Sequence, residues 1–199
     1  ISTVLGQQMN DTWPRAIVGG TNHETVHVIC QGSGTSGAQV NGQNGPLLYS
    51  RSTDGGLTFP VLRSIIPAID SSHYLGFGGD NYSIDTKGDT VAIVAGSFTT
   101  DLILLKSIDN GTTWNSTILQ PFLIPFYTDS IGLPGGTAIG SSGDAHVMID
   151  KNGLVHVFWS NIVLTDTGGS LGYYPNLLDG LLYWNENHPV GAVDTIASA

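Results

Sequence analysis

The chain has 199 residues, of which 11% are charged and 40% hydrophobic, with 27 glycines and a formal net charge of −10. This composition fits a turn-rich, β-rich chain with one sizeable core or two small ones, and excludes a disordered or coiled-coil chain. Six Lys plus Arg against 16 Asp plus Glu exclude nucleic acid and anionic membrane surfaces as partners, because both require basic side chains; no apolar run approaches the ~20 residues of a membrane span.

Residues 1–10 read as a strand that completes a neighbouring unit. A short strand follows over 15–18, then a turn at Gly19-Gly20-Thr21-Asn22 and a second strand over 25–31. A Gly/Ser/Asn loop, 32–45, leads to a third strand over 46–51, and the segment Ser52-Thr53-Asp54-Gly55-Gly56-Leu57-Thr58-Phe59 turns into a fourth, about 59–65. The same order recurs over 81–85, a turn at Lys87-Gly88-Asp89, 90–96 and 101–106. There the turn is Ser107-Ile108-Asp109-Asn110-Gly111-Thr112-Thr113-Trp114, and the last strand is 114–119. A third pass takes 145–150, a turn at Lys151-Asn152-Gly153, 154–160, a long loop, 180–184 and a last strand near 193–197. In it Asn185-Glu186-Asn187-His188 lacks the Asp and Gly spacing.

The two turn segments share the pattern Ser-x-Asp-x-Gly-x-Thr-aromatic. Glycine supplies a left-handed backbone position, the Asp carboxylate accepts bonds from turn N–H groups, and the Ser and Thr hydroxyls tie the ends together. The pattern resembles the Asp-box, or BNR repeat, of sialidase-type β-propellers. That resemblance implies an all-β fold, a β-propeller of four-stranded antiparallel blades. About three blades are present, near 13–65, 81–120 and 145–199, in a single propeller segment spanning 1–199. Ser52, Asp54, Gly56, Thr58 and Phe59, and Ser107, Asp109, Gly111, Thr113 and Trp114, are then structural turn residues remote from any active site. Propellers have four to eight blades, so the remaining ones are expected from the same longer chain or from self-association. The start at Ile1, without an initiator Met or a signal-peptide pattern, is read the same way. A two-sheet sandwich is the alternative fold. The stretch Asp150-x-x-Gly153-x-x-His156-Val157-Phe158-Trp159 looks like the inner strands of secreted bacterial BNR-repeat proteins, which implies an extracellular or cell-surface location.

In a four-stranded meander the short turns gather at one end and the long connections, 32–45, 67–80, 120–144 and 161–179, at the other. Long irregular loops on a rigid scaffold are where binding is expected. His73, Tyr74, Asp80, Tyr127, Asp129, Tyr173 and Tyr174 lie on that rim and are the candidate ligand contacts. The tyrosine rings suit sugar faces, the carboxylates suit hydroxyl groups, and Tyr74 and Tyr173 are taken to be loop-tip residues with few core contacts. A sialidase needs an arginine triad, and this chain has Arg15, Arg51 and Arg63. Arg51 sits on the turn-facing end of its strand and Arg63 in an outer strand. His27 and His156 occupy one repeat position, held by Ala92 in the second unit, and read as packing residues. His146, Asp150 and His156 lack an evident third metal ligand, so neither metal nor cofactor is assigned. Cys30, without an intrachain partner, reads as a buried thiol. The functional expectation is a secreted or cell-surface binding module, with a glycan or another cell-surface protein as partner. The alternative is a glycoside hydrolase whose catalytic residues partly lie outside this chain.

Overall fold

Thirteen strands build three antiparallel sheets in a computed structural model that describes residues 11–33, 38–168, 170–189 and 191–197, without the side chains of 174–179. The strand expected within 1–10 lies outside the described residues. The first sheet is a meander of β1 (Thr12–Gly19), β2 (Thr25–Gln31), β3 (Leu47–Ser52) and β4 (Val61–Ser64). The second repeats it with β5 (Tyr82–Lys87), β6 (Thr90–Ala95), β7 (Leu102–Ser107) and β8 (Asn115–Gln120). The third runs β10 (His146–Ile149), β11 (Val155–Asp166), β12 (Leu171–Asn185) and β13 (Asp194–Ala197), with β9 (Thr137–Ser141) added along β11.

The second sheet lies between the other two, and this explains its sequence. Side chains alternate across a strand. Ile93, Ala95, Ile103 and Leu105 therefore share one core with Ile29, Leu47 and Tyr49 of the first sheet. Ala92, Val94, Leu102 and Leu104 share another with Val147, Val155, Val157, Trp159 and Trp184 of the third. A strand covered on both faces reads as a continuous apolar run, as Val91-Ala92-Ile93-Val94-Ala95 does. The last strands, β4, β8 and β13, carry mostly exposed or half-buried side chains.

The first strands of the sheets, β1, β5 and β10, lie side by side without forming a ladder. Side chains of β5 bond the backbones of both neighbours. Tyr82 Oη donates to Trp13 O (2.7 Å) and Thr86 Oγ1 to Val18 O (2.9 Å). Ser83 Oγ accepts from Val147 N (2.8 Å), and Asp85 Oδ2 from Ile149 N (2.7 Å).

Both repeated turns close on the same set of bonds. Ser52 Oγ donates to Asp54 Oδ1 (2.6 Å) and accepts from Gly56 N (2.9 Å). Asp54 accepts from Thr58 N (2.9 Å) and Thr58 Oγ1 (2.6 Å). In the second copy Ser107 Oγ donates to Asp109 Oδ1 (2.8 Å) and accepts from Gly111 N (2.8 Å). Asp109 there accepts from Thr113 N (2.8 Å) and Thr113 Oγ1 (2.6 Å). These bonds favour the ionised carboxylate. The Ser52 and Thr58 hydroxyls hold Asp54 down to about 2, and Thr113, then Ser107, hold Asp109 well below the usual carboxylate range. Gly111 has φ 77°, and a Cβ there would stand 1.9 Å from Tyr49 Oη. Only glycine lets the second turn seat against the first sheet, where Trp114 meets Tyr49 edge-on at 5.2 Å. Phe59 precedes its strand and is half-buried.

The short turns meet one another, through Gly20 N to Gly88 O (2.8 Å), Asn110 N to Asp89 O (2.7 Å) and Gly55 N to Glu24 O (2.9 Å). In the third unit Glu186 stands three residues past Tyr183, where Ser52 stands past Tyr49. It accepts from Val155 N (2.9 Å) and Lys106 Nζ (2.5 Å).

The third unit differs from expectation. Residues 161–179 are not a loop: β11 continues to Asp166, and β12 begins at Leu171. Residues 120–144 are not all loop either, since β9 pairs with Asn161–Thr165. The reason is a register shift between Ser160 and Ile162. Val155, Val157 and Trp159 alternate in one phase and Ile162 and Leu164 in the other, so the inward pattern breaks at Asn161. Past the shift, Ile162 and Leu164 join Phe122, Tyr127, Leu133 and Ala138 in a separate small core.

Candidate functional site

A cavity of about 520 Å³ opens between the connection from the first to the second sheet and the one leaving the second. His73, Tyr74, Tyr127 and Asp129 all line it. One wall is fixed by the loop before β3. Fully buried Gln43 donates through Nε2 to Ile69 O and Tyr74 O, both at 2.9 Å. Asn44 N donates to Leu75 O (2.8 Å), and Phe77 N to Gly45 O (2.9 Å). Gly76 has φ 149°, and a Cβ would lie 1.8 Å from Asn44 O, so the two loops touch only because it is glycine.

Asp101, just before β7, joins this wall to the next. Its Oδ2 accepts from Tyr74 Oη (3.0 Å) and its Oδ1 from Phe122 N (2.8 Å). Tyr74 packs on Phe77 at 5.2 Å, and Tyr127 meets Phe122 edge-on at 5.9 Å. Burial first, then the Asp101 charge, raises the Tyr74 phenol above its ordinary value. Burial, with Asp129 and Asp166 nearby, does the same for Tyr127. Both therefore stay neutral at physiological pH. At the mouth His73 is exposed and bonds Asp70 Oδ1 through Nδ1 (3.0 Å), and Asp129 is exposed. Phe126, also in the lining, is 44% exposed at φ 52°. A bulky residue takes that conformation only where its surroundings impose it, and such residues cluster at binding sites. No lining residue is Lys or Arg.

Asp80 and Tyr173 are not brought into the cavity. Asp80 is not a free acceptor, because Arg15, 65 residues away, pairs with it. Tyr173 is not on a loop tip: it lies in β12, packs on Phe98 at 5.4 Å and does not line the cavity. The Tyr174 side chain is outside the described residues. Tyr74 is no loop-tip residue either, since its ring belongs to the first inter-sheet core. Gln43, Asp101, Phe122 and Phe126 went unnoticed in the sequence, for their roles depend on partners far along the chain. Only the apolar run Phe122-Leu123-Ile124 between Pro121 and Pro125 signalled a packed segment, to which Phe122 and Ile124 belong.

The arginines are engaged elsewhere. Arg51 Nη1 donates to Asn110 O (2.7 Å) and Thr112 Oγ1 (2.8 Å), and Arg63 makes a two-pronged pair with Asp11 at 2.8 and 2.7 Å. His27 is fully buried, with Nδ1 at 2.8 Å from Tyr49 Oη and Nε2 at 3.1 Å from Asn110 Oδ1. Burial, the largest influence, lowers its pKa to about 4. His156 pairs with Tyr183 Oη at 2.8 Å in the corresponding way, and Asp150 Oδ2 stands 3.8 Å from its Nε2. Among the described residues no group of three His, Cys, Asp or Glu is placed to hold a metal ion. Cys30 is buried, which pushes its thiol up to about 11.

No family model matches the chain, and no curated protein matches it. Among solved structures it is similar to a protein of unknown function from Dyadobacter fermentans DSM 18053, with 14% identity and a TM-score of 0.47 over 96% of this chain and 69% of that one.

Proposed function

We propose that the three sheets are blades of an Asp-box β-propeller, and that the chain is a secreted or cell-surface binding module holding a neutral glycan in the rim cavity. The observation that carries the binding site is the convergence of His73, Tyr74, Tyr127 and Asp129 on one cavity from two connections far apart in the sequence. The blade reading is supported by face-to-face sheets, by first strands lying side by side, and by short turns gathered together. Phe126 offers an exposed ring for an apolar sugar face, while Asn44, Thr100 and Asp129 offer hydroxyl partners. With no Lys or Arg in the lining, a carboxylated sugar has no guanidinium or ammonium partner there.

A glycoside hydrolase is the second reading, because Asp101 and Asp129 both line the cavity and hydrolysis uses two carboxyl groups. Against it, both Asp101 oxygens already accept bonds from Tyr74 and Phe122. The test compares the wild type with Phe126→Ala/Asp129→Asn on an array of neutral and sialylated glycans. Retention of neutral glycans by the wild type alone is the expected result, whereas no retention by the wild type removes the lectin reading. Turnover of aryl glycosides that is lost in Asp129→Asn would favour the hydrolase instead.

A further inference from the structure

Trp13 and the Arg15–Asp80 pair stand together outside the rim cavity. Thr12 faces Gln31 and Arg15 faces Ile29, so β1 carries an extra residue between them, and this bulge takes Trp13 and Pro14 off the ladder. Tyr82 Oη donates to Trp13 O at 2.7 Å and accepts from Gln31 N at 2.9 Å, which fixes the bulge. A Cβ on Gly79 would stand 2.4 Å from Trp13 Cζ3, 2.7 Å from Cε3 and 2.8 Å from Cη2. These near-equal distances put Gly79 over the face of the indole ring, not against its edge. The ring is laid on backbone that glycine leaves bare, and Trp13 remains 48% exposed.

This arrangement adds little to stability. Trp13 has φ 49° and Asp80 φ 66°, left-handed angles that cost a residue with a side chain and cluster at binding sites. An ion pair as open as Arg15–Asp80, with side chains 43% and 48% exposed, contributes little to a fold. Gly78 lines the rim cavity, so the indole lies against the residue next to the cavity wall.

From these residues we infer that Trp13, Arg15 and Asp80 form a second contact beside the rim cavity, and that the ligand is a neutral oligosaccharide, with one sugar in the cavity and another stacked on Trp13. The inference rests on the glycan reading of the cavity. An exposed indole face takes the apolar face of a pyranose. The ion pair sets N–H donors beside a carboxylate, as neighbouring hydroxyl groups require. Arg15 opposes a cationic ligand, and Asp80, in a chain of net charge −10, opposes an anionic one.

Calorimetric titration of the whole chain with disaccharides and pentasaccharides of the gluco-, manno-, xylo- and chito- series tests this, with tryptophan emission followed in parallel. In one series the pentasaccharide should bind about tenfold or more tighter than the disaccharide. It should also shift the emission of Trp13, the exposed tryptophan among the described residues. Trp13→Ala should bring the pentasaccharide down to the affinity of the disaccharide and leave the disaccharide unchanged. Gly79→Ala keeps the ring but lifts it from its seat; it should reduce the preference likewise, and it carries the test should Trp13→Ala fail to melt cooperatively. Equal binding of long and short sugars by the wild type, or a preference that survives both substitutions, would overturn this inference and leave the glycan reading of the cavity intact. Binding of none of these sugars by the wild type would remove both.

Discussion

Asn110→Ala probes the joint between the first two sheets. Asn110 Nδ2 donates to Thr25 Oγ1 at 2.7 Å, and its Oδ1 stands 3.1 Å from His27 Nε2. Thr25 is 2% exposed and His27 0%, so the substitution leaves two buried polar atoms without their partners. Each such loss costs ~1–3 kcal/mol. Asn110 itself is half-buried, so water replaces part of what is lost and the pair comes to about 2 kcal/mol. Asn110 also has φ 58°, which Asn tolerates and Ala does not, adding ~1 kcal/mol. The total of about 3 kcal/mol corresponds to a Tm lowered by ~6–12 °C at ~2–4 °C per kcal/mol for a chain of this size. Asn110→Gly tolerates the backbone angle and should lose only the ~2 kcal/mol of the hydrogen bonds. Urea titration and calorimetry on both variants separate the contributions. If both variants stay within ~0.5 kcal/mol of wild type, an ordinary surface change, the bridge does not hold the sheets. If Gly is no better than Ala, the backbone argument fails.

The pH dependence of stability should have two separate acid limbs. His27 is held near 4 against an ordinary 6.5, so the unfolded chain binds its proton first. Its contribution is complete above 6.5 and is lost as pH falls towards 4, by on the order of 3 kcal/mol. His27→Asn should remove that limb from urea midpoints measured across pH, and an unchanged limb would assign it to another group. Asp54 and Asp109 have depressed values, so their contribution is present above the ordinary carboxylate range and is lost as pH falls through the lower, folded value, near 2 for Asp54. Asp109→Ala should lower the Tm and weaken this second limb without changing glycan retention; a retention defect at unchanged Tm would count against a purely structural turn.

The repeat was legible in the sequence because its chemistry is local. Ser107, Asp109, Gly111 and Thr113 bond one another within four residues, so spacing alone reveals the turn. The apolar run of β6 was read only as a strand, although its unbroken character is also the trace of the second sheet's burial on both faces. The rim residues were chosen by type and loop position, which brought four of the seven onto one cavity. Asp80 misled because its partner Arg15 stands 65 residues earlier. Asp101 was invisible for the same reason: it joins Tyr74 to Phe122 across stretches of sequence with no shared pattern. The extension of β11 was hidden by the shift at Asn161, which changes the phase of the alternation that marks a strand.

The bonds made by β5 also bear on aggregation. A strand at the border of a sheet presents ladder groups that will accept a strand from any other molecule. Here Ser83 and Asp85 occupy the N–H groups of Val147 and Ile149, while Tyr82 and Thr86 occupy the carbonyls of Trp13 and Val18. These polar side chains act as stoppers: they occupy two ladder groups on the inner border of each neighbouring sheet without extending the ladder. A Ser83→Val/Asp85→Val chain would keep the strand propensity of β5 but leave the Val147 and Ile149 N–H groups of β10 without those partners.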